Sequence, residues 1–517
     1  MTTIVGYRTL RDLLEYRART TPSRIFVIFD NLENDATPLS YAEFDAQVNR
    51  TANMLHALGI GHGDKINLHL PNCLEFLFLW FAAAKIGAVM MPTNVAASAN
   101  ELEYLVSHSE SRLIFTVQAH LEVVEDVRRR CAGVGGVIVC DATVPKGATQ
   151  LDFHALVAEQ KSVAPPAQVG PLDEAAIMYT SGTTARPKGV LVTHANYIYA
   201  GETVAKAVRL APEDRHFVVM PLFHGNAQYY STMSALVAGA SMTLSARFSA
   251  SRYFDQCIAH QCTVSSLFAA PIRMLLAQPR KAEHRNNRLR VVIYAQNITE
   301  AQLEQWHERF GAPLLQLWGM TETMGPPLMN PIEFERRNMS MGLPVMGYEV
   351  RLVADDGAPV KAGETGQVVV RGEPGWTLMK GYFKNPEATA DTLRNGWLWS
   401  GDNARQDADG YFHFVDRAKD MIKRAGENVA ASEVEAVILQ HPQVFDCAVI
   451  GVPDEVRDEK IKAVVVLHPG AHVSAEDIIA WCRERLAKFR LPELVEFRDE
   501  LPRTSVGKIQ KHLLRGG

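Results

Sequence analysis

The stretch Ile177-Met-Tyr-Thr-Ser-Gly-Thr-Thr-Ala-Arg-Pro-Lys-Gly-Val-Leu-Val-Thr193 decides how this 517-residue chain is read. Apolar residues lead into it from Ala175, and a β-branched run from Val190 leads out, so two strands are expected around a loop. The loop carries hydroxyls at Thr180, Ser181, Thr183 and Thr184, glycines at Gly182 and Gly189, and one cation, Lys188. Hydroxyl and backbone N–H donors around one concavity suit a polyphosphate. Both glycines are expected to let the backbone approach that ligand, since neither has a Cβ. The Walker loop fails as a comparison. Pro187 stands where its second glycine would be, Lys188 precedes Gly189, and a strand rather than a helix follows.

Outward from the loop, strand-like and helical segments alternate. Asp64–Leu70 and Val89–Pro92 read as strands around an apolar helix, Glu75–Gly87, and the same order recurs through 111–140. That alternation predicts an α/β fold with parallel sheets covered by helices. Two amphipathic helices around a hairpin are expected in 8–60, and a linker over Val163–Pro171. From Gly342 the texture changes to short strands and tight turns, including the hairpin signal Asp409-Gly410, which predicts an antiparallel β-subdomain. Beyond a charged run at 416–428, helix and strand patterns describe a small α+β domain.

Composition narrows the classes. Hydrophobic content of 47%, charged content of 21% and a net charge of −5 describe an ordinary globular enzyme and give no footing for nucleic-acid binding. Seven cysteines without a C-x-x-C pair read as free thiols in a reducing compartment. The longest apolar stretch, Phe76–Ala84, is too short to span a bilayer, and the N-terminal segment lacks a signal-like apolar core. A cytoplasmic protein without membrane or nucleic-acid partners is expected.

Other chemistry-bearing residues fall at strand ends. His224 closes Phe217-Val-Val-Met-Pro-Leu-Phe-His, where open α/β sheets bind ligands, though a packed structural histidine reads equally well. Gly225 to Gln228 are expected to turn sharply, with a helix from Tyr229 to Gly239. Thr321 and Glu322 follow a strand ending at Trp318-Gly319, either as a helix cap or with Glu322 as a magnesium ligand. Asp402 is a turn residue or a partner for ribose hydroxyls, and the run at 416–428 is a solvated linker by composition alone.

Taken together, YTSGTTARPKG (179–189), PLFHG (221–225), WGMTET (318–323), SGD (400–402), DRAKDMIKRAGENV (416–429) and PRTSVGKI (502–509) resemble, in order and spacing, the adenylate-forming superfamily. That superfamily holds acyl-CoA synthetases, luciferases and peptide-synthetase adenylation domains. Within it, NRTAN (49–53), AKIGA (84–88), RDEKIKAVVVL (457–467) and Asn297 look like the bacterial crotonobetaine/carnitine-CoA ligases.

The resemblance implies an N-terminal adenylation domain (1–416) of helix-covered sheets with a β-subdomain, a hinge (417–420) about Lys419, and a small mobile α+β lid domain (421–517). It implies an ATP-dependent, AMP-forming ligase that joins a carboxylic acid to CoA through an acyl-adenylate, with Mg²⁺. A stand-alone loader of carrier proteins is the alternative, and a homodimer is compatible with either. Thr180, Ser181, Gly182, Thr183, Thr184 and Lys188 would cradle the β/γ phosphates, and Glu322 would hold the metal with Thr321 at the α-phosphate. Trp318, Gly319 and Met320 would border the adenine, with Asp402 and Arg417 on the ribose. Lys508 would bridge carboxylate and phosphate, and His224 would gate the acyl pocket. Lys423, Gly426 and Glu427 would serve CoA and thioester formation. Trp318 departs from the family's usual Tyr, so the ring is kept and a hydroxyl lost. Segments 223–246 and 264–272, the expected acyl walls, contain no Asp or Glu. Phe223, Tyr229, Tyr230 and Phe268 suit a quaternary ammonium held by cation–π contact, and a modest neutral carboxylate is an equal alternative.

Overall fold

The computed structural model describes residues 4–33, 36–145, 147–180, 186–417, 420–424, 427–454, 458–503 and 509–515. Helix Leu74–Ile86 explains how the large unit is layered. Apart from Glu75 and the ion-paired Lys85 it is apolar all round, and Phe76 through Ile86 are all buried, as expected for a helix covered on all faces. Its C-terminus is closed by Gly87 at φ 74°, a left-handed cap that glycine adopts readily.

Two sheets share this interior. One has eight strands among the described residues, in the order Gly381–Tyr382, Lys188–Thr193, Glu174–Thr180, Val89–Pro92, Lys65–His69, Ser111–Thr116, Gly136–Val139, Leu151–Asp152. From Glu174–Thr180 to Leu151–Asp152 the pairing is parallel; the first two strands are antiparallel. The other has nine, with a parallel centre running Leu314–Trp318, Val291–Ala295, Val264–Phe268, Arg215–Val218, Ser241–Ser245 and Ile25–Asp30. Helix His194–Ala207 is also largely buried. One continuous apolar core joins residues from both sheets.

The expected hairpin and helices of 8–60 are present as Leu10–Thr20, the antiparallel pair Ile25–Asp30 and Ala36–Ser40, and Tyr41–Ala57. From Glu349 to Arg417 a five-stranded antiparallel sheet forms the β-subdomain. The C-terminal unit builds a five-stranded sheet of its own, flanked by Ala431–Ile438 and Ala475–Arg483, and buries separate apolar clusters.

One local expectation changes. Gly225 to Gln228 do not form an open turn: helical structure starts at Asn226, π-type over Asn226–Thr232 and α-type over Met233–Ala238. Gly225 is itself right-handed helical, and a Cβ there would lie 2.9 Å from the Tyr229 ring. Its small size is used for packing against the next turn, not for a reversal.

Candidate functional site

The hydroxyl-rich loop joins the last parallel strand of the eight-stranded sheet to an antiparallel neighbour, with Thr180 facing Lys188 in register. Ser181, Gly182, Thr183 and Thr184 lie outside the described residues. Both arms of the loop are held by helix Ala99–Ser109. His108 Nδ1 pairs with the Tyr179 hydroxyl at 2.7 Å, and the Tyr104 hydroxyl donates to the Pro187 carbonyl at 3.2 Å. The Arg186 guanidinium lies 5.1 Å from the centre of the Tyr104 ring. Burial, with Lys384 nearby, lowers the His108 pKa, and burial pushes the Tyr179 phenol up. Neither residue of this clamp was legible from the loop itself. Gly189 corrects the sequence reading: a Cβ there would sit 2.7 Å from Ile177 Cγ2. That glycine accommodates the neighbouring strand, not a ligand.

Strand Leu314–Trp318 delivers the next group. Gly319 is required because a Cβ would approach the Tyr230 hydroxyl to 2.7 Å. No helix starts at Thr321 or Glu322; the chain turns through 321–325, stabilised by Thr323 Oγ1 accepting from the Met320 N–H at 2.9 Å. The helix-cap alternative therefore has no helix to cap. Glu322 is 5% exposed and accepts a hydrogen bond from the Tyr382 hydroxyl at 2.9 Å. Tyr382 reaches it because Gly381–Tyr382 pairs with the strand that follows the hydroxyl-rich loop. The Lys188 ammonium lies 4.8 Å from the centre of the same ring. A carboxylate, a phenol and the loop's cation thus form one contiguous group. Burial and the Glu322 charge push the Tyr382 phenol well above its ordinary range, so it remains a donor.

Trp318 and Asp402 meet across 84 residues of sequence: the indole Nε1–H donates to Asp402 Oδ2 at 2.8 Å. The hydroxyl expected to be lost at this position is replaced by another polar group, the indole N–H. Asp402 lies in strand Trp397–Gln406, paired in register with Arg417 at the end of Phe412–Arg417. Nearby, Gln316 Nε2 donates to Asn297 Oδ1 at 2.8 Å.

His224 accepts from the Asn226 N–H at Nδ1, 3.1 Å, and meets Phe268 edge-on at 5.3 Å. Phe223, Tyr229, Tyr230 and Phe268 border the same cleft as Lys188, Glu322 and Asp402, a space of about 2410 Å³. Its far side belongs to the C-terminal unit, including the Asp446–Arg503 ion pair and the tail residues Ile509 and Lys511. Burial opposes the Lys511 charge, but Glu435 at 2.8 Å, with Asp416 and Asp420, raises its pKa above the usual lysine value.

Lys508, Lys419 and Gly426 lie outside the described residues. Lys423 is exposed on strand Met421–Arg424, its N–H donating to Glu459 at 2.7 Å, and it does not border the cleft. Glu427 opens strand Glu427–Ala430, in register with Arg424. Among the described residues, Lys423 of the hairpin proposed for thioester chemistry does not border the cleft, whereas Ile509 and Lys511 of the tail do. Among the described residues no helix is long and apolar enough to cross a membrane.

Comparison with known proteins gives concordant matches. A family model for AMP-binding enzymes matches residues 14–383, and one for the AMP-binding enzyme C-terminal domain matches residues 433–508. The chain is 38% identical over 515 residues to a crotonobetaine/carnitine–CoA ligase of Salmonella heidelberg (strain SL476), spanning 99% of this chain and 100% of that protein. The anthranilate CoA ligase AuaEII in complex with anthranoyl-AMP superimposes with a TM-score of 0.91 at 28% identity, covering 98% of this chain and 97% of that one. ATP-bound MatB from Rhodopseudomonas palustris gives 0.88 at 27% identity, with 98% of each chain covered. Apo MatB gives 0.77 at 28% identity over the same 98% of each chain.

Proposed function

The chain belongs to the AMP-binding enzyme family and is an AMP-forming acid–thiol ligase using ATP, a carboxylic acid and CoA, and on that premise we propose which of its residues carry each step. In the first step a carboxylate oxygen attacks the α-phosphorus and pyrophosphate leaves. In the second, the CoA sulfur attacks the acyl carbonyl and AMP leaves. Negative charge builds in both, so placed cations and donors are the main catalytic resource.

Lys188, with the hydroxyls of 180–184, holds the β/γ phosphates. Trp318 borders the adenine and fixes one oxygen of Asp402, which with Arg417 binds the ribose. Lys508 completes adenylation from the C-terminal side. Among the described residues no group of three or more His, Cys, Asp or Glu is arranged for a metal. A lone carboxylate such as Glu322 suits Mg²⁺, which takes one or two carboxylates and fills its shell with water and substrate phosphates. When bound, that ion would offset charge on the departing pyrophosphate. Tyr382 keeps Glu322 oriented for it.

The observation that carries this reading is the convergence of Lys188, Glu322 and Asp402 on one cleft. The closer match to ATP-bound than to apo MatB, and the tail facing the cleft, support an adenylating arrangement of the C-terminal unit. Lys419 is then the hinge, and a turn about it would bring Lys423 and Glu427 inward for CoA. The acyl substrate is a small to medium carboxylate, with a carnitine-like acid a candidate from the likeness at 38% identity. Pyrophosphate release is measured over a carboxylic-acid panel with ATP and Mg²⁺, and CoA is then added to read AMP and acyl-CoA. ADP as product, or acyl transfer only to a carrier protein, would refute the reading.

A further inference from the structure

Asn226 and Tyr229 both border the cleft and are 2% and 1% exposed. Neither the Asn226 Oδ1 and Nδ2 atoms nor the Tyr229 hydroxyl has a hydrogen-bond partner among the described residues. Neighbours on the same helical run do find partners. The Tyr197 hydroxyl donates to Gln228 Oε1 at 2.5 Å, and Gln228 Nε2 donates to the Leu222 carbonyl at 2.6 Å. Thr232 Oγ1 donates to the Ala227 carbonyl at 2.9 Å, and Ser234 Oγ to the Tyr230 carbonyl at 2.5 Å. Unpaired buried polar atoms also occur away from the cleft, at Trp80, His216 and Tyr253 among others, and at His512 on its C-terminal side, but among the described residues of the expected acyl walls that border the cleft they fall on Asn226 and Tyr229. An unpaired buried amide is unfavourable in the free protein, so its partner is expected to arrive with a ligand.

The chemistry of that ligand follows from what is left open. Asn226 presents one acceptor and one donor group, and Tyr229 a hydroxyl that does both. Burial, with the Glu322 charge adding, raises the Tyr229 phenol well above its ordinary range, so its proton stays in place. Segments 223–246 and 264–272 contain no carboxylate that would ask for a cation. The complement is a neutral group that donates and accepts at once.

We propose that Asn226, assisted by Tyr229, is a specificity-determining contact of the acyl pocket, and that the acid this enzyme activates carries a hydroxyl on its chain. The inference rests on the ligase reading above and adds the substrate's chemical class to it. A pocket that leaves polar atoms unpaired unless the hydroxyl is present rejects the unsubstituted acid strongly. An apolar pocket would hardly distinguish the two.

The test compares butanoate, hexanoate and octanoate with their 2-, 3- and 4-hydroxy derivatives by ATP-dependent pyrophosphate release. The parent enzyme should favour at least one hydroxy acid over its unsubstituted counterpart by on the order of 100-fold or more in kcat/KM. Asn226→Leu should lose most of that ratio while melting no lower than the parent, because it removes unpaired polar atoms. A structurally bonded asparagine would instead lower the melting temperature. If the leucine variant does not fold, Asn226→Ser replaces it, with the same loss of ratio expected. Equal turnover of hydroxy and plain acids, or a preference that survives in the variant, overturns the inference and leaves the ligase reading standing. No pyrophosphate release with any acid refutes the ligase reading, and the inference falls with it.

Discussion

Replacing Tyr382 by phenylalanine removes one atom group from the candidate site and leaves the rest of the ring in place. The lost interaction is a 2.9 Å hydrogen bond to Glu322, made where the two residues are 7% and 5% exposed. A buried hydrogen bond to a carboxylate contributes about 1.5–3 kcal/mol, which corresponds to about 10- to 150-fold in rate when fully expressed at the transition state. The Lys188 contact, 4.8 Å from the ring centre, survives in the phenylalanine variant. Tyr382→Leu loses that contact as well, a further ~0.5–1 kcal/mol. On the reading that Glu322 holds the cation, the loss falls on ATP–pyrophosphate exchange and raises the Mg²⁺ needed for half-maximal rate. The KM for the carboxylic acid should barely move, and conversion of supplied acyl-AMP to acyl-CoA should persist. Exchange at the parent rate with parent Mg²⁺ dependence would refute the reasoning. Equal loss of both half-reactions would assign Tyr382 to general packing instead.

Trp318→Phe keeps an aromatic ring but removes the N–H donated to Asp402 at 2.8 Å, so the KM for ATP should rise about tenfold, one hydrogen bond to a charged group, with the acid KM unchanged. Tyr104→Phe removes the hydroxyl that holds the Pro187 carbonyl; a two- to tenfold rise in ATP KM, about 0.5–1.5 kcal/mol, should appear without effect on the CoA step. Lys419→Pro fixes φ at the proposed hinge, so single-turnover acyl-AMP should form and then resist discharge by CoA; discharge at the parent rate would exclude the hinge role. Burial holds His69, His194 and His216 down to about 4. Since the unfolded chain titrates near ~6.5, it takes up these protons first on acidification. The stability from keeping the three histidines neutral is therefore complete above that value and lost as pH falls toward 4. The loss is about 2 kcal/mol per histidine at pH 5. Melting curves from pH 8 to pH 5 check the sign, and His216→Leu should flatten the slope.

What was legible in the sequence was local. The apolar run Phe76–Ala84 read better as a buried helix than as a membrane span, and Leu74–Ile86 is such a helix. The apolar lead-in and β-branched lead-out of 181–187 announced two strands around a loop, and Asp409-Gly410 announced the turn between Trp397–Gln406 and Phe412–Arg417. Ordered motifs indicated the family and the strand ends at which Lys188, Glu322 and Asp402 stand, because short-range periodicity and turn chemistry are written in neighbouring residues. The partners of those residues were not legible. Tyr382 lies 60 positions from Glu322, Asp402 84 from Trp318, and His108 71 from Tyr179. Gly189 was misread for the same reason, since what its Cβ would strike is the facing strand. Nor does any local pattern reveal that the Asn226 side-chain amide, two residues from His224, has no partner among the described residues. The sequence by itself determined the elements, their order and the motif-bearing strand ends. Which side chains meet, and which buried polar atoms remain unpaired, was decided only when sheet pairing brought distant segments within hydrogen-bonding distance.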